Sequence, residues 1–117
     1  MSTNDEEAIR CAEHLIEAMQ NLRRVLELRE ENIRRSLGIR LTPEEEYRAV
    51  FKGTLITEDR EDLTEALFEL DRCRRASRVA SFRSALEHGM SINELARIWG
   101  FSRQMASRYA KEAREGI

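Results

Sequence analysis

Apolar residues recur along this chain mostly in steps of three and four, the spacing that lines one face of a helix. From about Asn4 to Leu37 the positions Ala8, Ala12, Leu15, Met19, Leu22, Leu26 and Ile33 alternate steps of four and three, with a gap at Arg29. They predict one long helix with a narrow seam of heptad type. No Gly or Pro interrupts it, Asp5, Glu6 and Glu7 suit a helix N-terminus, and Gly38 follows its end. Ile9, Ile16, Val25 and Leu28 lie off the seam and widen the stripe toward a bundle. A helix of this pattern needs a partner, which is its own chain, a second subunit, or both.

The stretch "LTPEEEYRAVFKG" predicts a short helix, with Thr42 as N-cap, Pro43 in the first turn, Glu45 completing a capping box and Gly53 as the stop. "TLITED" reads as a connector. Thr57, Glu58 and Asp59 open a further helix whose apolar stripe is Leu63, Ala66, Leu67, Leu70 and Cys73, suited to cover the first helix. Residues 58 to 88 contain no Gly or Pro, so the pattern is satisfied by one helix reaching Gly89 or by two with a break near 75 to 77.

The last third is the most sharply punctuated. Ser91 and Glu94 form an S-x-x-E box that starts a helix running to about Ile98, Gly100 supplies a left-handed turn residue, and Ser102 caps the next helix. Leu95, Ala96, Trp99, Phe101, Ala106 and Tyr109 fall where the two helices face each other. Their spacing makes the aromatic rings core residues and not a stacking platform for single strands. The remaining face of the second helix carries Ser102, Arg103, Gln104, Ser107, Arg108 and Lys111, donors suited to phosphates and base edges.

Charge sharpens this picture. Residues 1 to 71 hold 10 basic and 18 acidic side chains, whereas residues 72 to 117 hold 10 basic and 4 acidic ones, so a polyanion is attracted to the second part and repelled by the first. With 36% charged residues, one proline and five glycines, the 117-residue chain is expected to be all-α. The expected architecture is a long N-terminal amphipathic helix packed with middle helices, plus a C-terminal three-helix helix-turn-helix unit. The expected domains are 1–75, an acidic region for dimerisation or partner contact, and 76–117, a basic DNA-binding domain. No apolar run is long enough for a membrane span and the acidic start is unlike a signal peptide, so a cytoplasmic, nucleoid-associated location is expected.

Residues 77 to 114, and above all "ALEHGMSINELARIWGFSRQMASRYAKEA", resemble the helix-turn-helix DNA-binding domains of the homeodomain-like superfamily, in particular the small C-terminal domains of bacterial resolvases and DNA invertases. The resemblance rests on the L-A-x-x-x-G-x-S spacing at Leu95, Ala96, Gly100 and Ser102, followed by Ser107, Arg108 and Tyr109. It implies a three-helix unit whose recognition helix, residues 103–113, lies in the major groove of double-stranded DNA. It does not imply recombination, because the acidic first part has neither the length nor the strand pattern of a catalytic domain. The chain departs from the family at Ala106, where a branched aliphatic residue is more usual; Trp99 across the turn is the expected filler of that volume.

On this reading Arg103, Gln104, Ser107 and Arg108 contact bases, and Ser91, Ser102, Lys111 and Arg78 contact phosphates. Arg72, Arg74 and Arg75 either join them or line a wet helix face. Cys11 and His14, one turn apart, are half of a metal site with no second pair to complete it, and two cysteines make no disulfide scaffold, so neither metal nor cofactor is expected. His88 is a helix C-terminal residue favoured by the dipole and not a catalytic base. No phosphate loop or nucleophile elbow is present, and an enzyme is not expected. The function expected is a sequence-specific DNA-binding regulator, a repressor first, dimeric through residues 1–37. Two alternatives share these features: a protein-interaction module whose partner sits on the acidic N-terminal region, and an accessory DNA protein of partition, recombination or packaging.

Overall fold

The structure, a computed structural model, describes the backbone of residues 1–52 and 57–115 and the side chains of 1–49 and 62–115. The stop expected at Gly53, the 54–56 part of the connector and the side chains of Thr57, Glu58 and Asp59 lie outside the described residues. Among the described residues five helices follow one another: α1 (Thr3–Leu37), α2 (Pro43–Lys52), α3 (Thr57–Glu87), α4 (Ile92–Trp99) and α5 (Arg103–Glu115). The described residues contain no strand, so the chain is all-α. No helix among them is long and apolar enough to cross a membrane. The open choice at residues 75 to 77 is settled in favour of one helix, because α3 runs unbroken to Glu87. Two compact units are formed, one from Met1–Ile16 with Asp71–Ile117 and one from Glu17–Leu70.

Among the described residues of the Glu17–Leu70 unit the closest burial falls on two alanines, Ala18 of α1 and Ala66 of α3. Small side chains there let helices pack closely. Leu22 and Val25 of α1, with Leu63 and Leu70 of α3, are half-buried. The expected seam is covered only in part within one chain, with Leu15 and Leu22 half-buried. Met19, Leu26 and Ile33 remain 48%, 44% and 42% exposed, while Ala18 and Val25 take the inward places. Val25, read from the sequence as lying off the seam, turns inward because the close packing at Ala18 sits on that side of α1. The capping box of α2 forms as predicted, with both arms made: the Glu45 N–H donates to Thr42 Oγ1 at 3.3 Å and the Thr42 N–H to Glu45 Oε2 at 2.9 Å. Those bonds from Thr42 hold the Glu45 carboxyl below its ordinary range.

In the other unit the start of α1 is tied to the end of α3. Ser2 caps α1, its Oγ accepting from the Asp5 N–H at 3.2 Å while the Ser2 N–H reaches Asp5 Oδ2 at 3.4 Å. Asp5 also accepts from the Ser84 hydroxyl and lies 3.0 and 3.1 Å from His88 Nε2. The bonds from Ser84 and then His88 hold the Asp5 carboxyl well below the usual carboxylate range. Arg83 reaches Glu7 at 3.5 Å. The Cys11 thiol is pushed up, first by burial and then by the Glu7 carboxylate, so it stays protonated.

Candidate nucleic-acid interface

The core of the C-terminal helices is a cluster of Val79, Phe82, Leu95, Ala106, Ala110 and Ala113, with Leu86, Met90, Ile92, Ala96, Phe101 and Tyr109 packed against it. Phe82 is the large side chain that is fully buried. Its ring centroid lies 5.5 Å from Tyr109, 6.1 Å from Trp99 and 6.3 Å from Phe101, distances at which aromatic pairs attract. The small alanines of α5 thus share their core with a phenylalanine from α3. Trp99, expected to fill the volume beside Ala106, is 37% exposed and sits at the edge, 5.6 Å from Phe101. Sequence reasoning passed over Phe82, although Val79, Phe82 and Leu86 stand at helical spacing and carried the signal.

Two turns fix the angle between the helices. After α3, Gly89 takes φ +88° and the Met90 N–H donates to the Ala85 carbonyl at 3.0 Å. After α4, Gly100 takes φ +69° and the Phe101 N–H donates to the Ala96 carbonyl at 2.9 Å. Both are the paired bonds of a left-handed helix stop, and a side chain at Gly100 would be held in a conformation that L-residues avoid. The Oγ of Ser91 accepts from the Glu94 N–H at 3.1 Å, and that of Ser102 from the Met105 N–H at 3.1 Å. In each cap the hydroxyl oxygen is used as acceptor, which leaves the O–H as a donor.

The outer face of α5 follows directly. With Ala106, Ala110 and Ala113 buried and Tyr109 half-buried, Arg103, Gln104, Ser107, Arg108 and Lys111 are all exposed. The first four lie on neighbouring turns, i and i+4 apart, and form one polar surface. Lys111 lies one turn further along, 3.9 Å from Glu115. Ser102 and Ser91 are exposed at the N-termini of α5 and α4.

Arg78 is placed differently from the others. Its guanidinium carbon lies 5.1 Å from the centroid of Phe101 and 6.0 Å from that of Trp99, within cation–π range, and its Nη1 is 3.4 Å from the Tyr109 hydroxyl. Two further arginines of α3 hold the far end of α5. Arg75 pairs with Glu112 at 2.6 Å, and Arg83 Nε donates to the Ala113 carbonyl at 2.9 Å. Arg74 pairs along its own helix with Asp71 at 2.9 Å. The contacts between α3 and α5 were not foreseen, since sequence separations of 30 to 37 connect their partners. No protein-family model, curated protein or solved structure matches the chain.

Proposed function

We propose that the chain binds double-stranded DNA sequence-specifically as a transcriptional regulator of the repressor kind, reading the major groove with the helix that spans residues 103–113. The observation that carries this reading is the two-sidedness of α5. One side is sealed by Ala106, Ala110 and Ala113, and the other presents Arg103, Gln104, Ser107 and Arg108 to solvent. Arg and Gln carry the bidentate donors and acceptors that base edges in the major groove require, and a helix is the element that fits that groove. Gly100 and the caps hold α5 rigidly, which favours recognition because little order has to be acquired on binding.

The phosphates on either side are contacted, on this proposal, by Lys111, by the cap hydroxyls of Ser91 and Ser102, and by Arg78. The first three are exposed and keep donors available. Arg78 offers a cation already fixed against Phe101. The charge excess of residues 72 to 117 draws the polyanion to this end, and the acidic residues 1 to 71 oppose contact elsewhere. A protein of this kind works on the chromosome, so a nucleoid-associated location belongs to the proposal. Selection of bound sequences from random duplex DNA at fixed salt tests it. Enrichment of a defined motif is the expected result. A flat pool with no salt-dependent retention overturns the reading in favour of a protein-interaction module.

A further inference from the structure

The Glu17–Leu70 unit has two unlike flanks. On one, α1 and α3 line a groove in which Asn21, Arg24, Asp62, Glu65 and Glu69 stand beside Val25, Leu28 and Ala66, so charged and polar side chains edge its apolar floor. The opposite flank is apolar. Met19, Leu26 and Ile33 of α1 are close to half exposed, Leu37 is 82% exposed, and Leu67 of α3 is exposed as well. Stepping along α1 from Met19 gives Arg23, Leu26, Glu30, Ile33 and Leu37, an unbroken heptad alternation of four and three. A seam of this regularity, left open on a helix whose other apolar line is already used, is a surface built for another helix.

We infer that this seam is covered by the same seam of a second copy of the chain, with the two α1 helices antiparallel. The argument for a second copy, and for that direction, is charge. The two polar members of the seam are opposite in sign, Arg23 and Glu30, and they sit symmetrically about the midpoint of residues 26 and 27. A twofold axis through that midpoint brings Arg23 of each copy toward Glu30 of the other, whose carboxylate also lies 3.5 Å from Arg34 of its own helix in an exposed pair that can share it, and closes the interface with two equivalent charge clusters. Parallel pairing stacks Arg23 on Arg23 and Glu30 on Glu30 in the seam, which like charges oppose. Leu26 lies nearest the axis, and Leu67 adds to the covered surface. This surface is independent of the proposed DNA contact, so each can fail without the other.

Sedimentation and light scattering of the full chain, from low micromolar to sub-millimolar concentration, test the inference together with four variants. The wild type is expected to reach a dimer mass. Leu26→Glu is expected to give a monomer mass with its helical circular dichroism retained, whereas Leu28→Glu, on the other side of α1, is expected to leave the dimer unchanged. Arg23→Glu and Glu30→Arg, each alone, are expected to raise the dissociation constant several-fold to about thirtyfold, and the double variant is expected to restore it. A wild-type monomer at every concentration overturns the inference, as does a dimer that survives Leu26→Glu. Single charge reversals without effect, or a double variant without rescue, overturn the antiparallel arrangement.

Discussion

Phe82→Ala removes the one large side chain among the described residues whose burial is complete, and the structure sets the size of the effect. The residue is 0% exposed and three aromatic rings surround it within 6.3 Å. Truncating a fully buried phenylalanine costs about 3–5 kcal/mol, from lost transfer free energy and from the cavity left behind. Apart from Tyr109, the neighbours from α5 are the buried alanines Ala106, Ala110 and Ala113, too short to collapse into the void, which places the cost near the upper half of that range. Set against a total of about 5–15 kcal/mol for a domain, this loss leaves the C-terminal helices marginal. The melting temperature is expected to fall by about 15 °C. Phe82→Leu, which keeps most of the volume, is expected to lose only about 1 to 1.5 kcal/mol. The assay is urea unfolding followed by circular dichroism and by the fluorescence of the single tryptophan, Trp99, whose ring is 6.1 Å from Phe82 and reports on this core. A loss below about 1 kcal/mol for Phe82→Ala, or a larger loss for Trp99→Ala, refutes the placement of Phe82 at the centre of the cluster.

Arg103→Ala and Gln104→Ala are each expected to cost about 1–3 kcal/mol on the selected DNA and to relax preference at particular base pairs, whereas Lys111→Ala weakens all sequences alike and lowers the salt slope by about one; titrations at several salt concentrations separate the two patterns. Gly100→Ala, with no atom within 4 Å of the added Cβ but a φ of +69°, is expected to cost about 1–2 kcal/mol through backbone conformation alone, read as a shift in urea midpoint with unchanged slope. Asp5 has a depressed carboxyl pKa in the folded chain, so its contribution is complete above the ordinary value near 4 and is lost as pH falls below it. Asp5→Asn is therefore expected to destabilise the protein at pH 7, and thermal melts from pH 7 down to pH 3 are expected to show that difference begin to shrink below about pH 4 and still be largely present at pH 3.

What could be read from the sequence alone was local. Caps and stops depend on residues three to five apart, which is why Thr42 with Glu45, Ser91 with Glu94, and Gly100 were legible, and why the inward turn of Ala106 and Tyr109 left Arg103, Gln104, Ser107 and Arg108 outward. The Ser2 cap on Asp5 was equally local, in "STND", but was missed, because the acidic residues after Asn4 were read as the whole helix start. Tertiary structure decided the rest. Whether α3 breaks near residue 76 depends on what covers its alanines, because propensity there permits both outcomes. Whether Val25 on α1 turns inward depends on the close approach available at Ala18, a property of the partner helix and not of α1. Phe82 becomes central, Arg78 lies against Phe101, and Asp5 gathers Ser84 and His88 only because distant segments meet, the last pair across 79 and 83 positions of sequence. Periodicity states that a residue faces inward, and the packing of the other helices states what it faces.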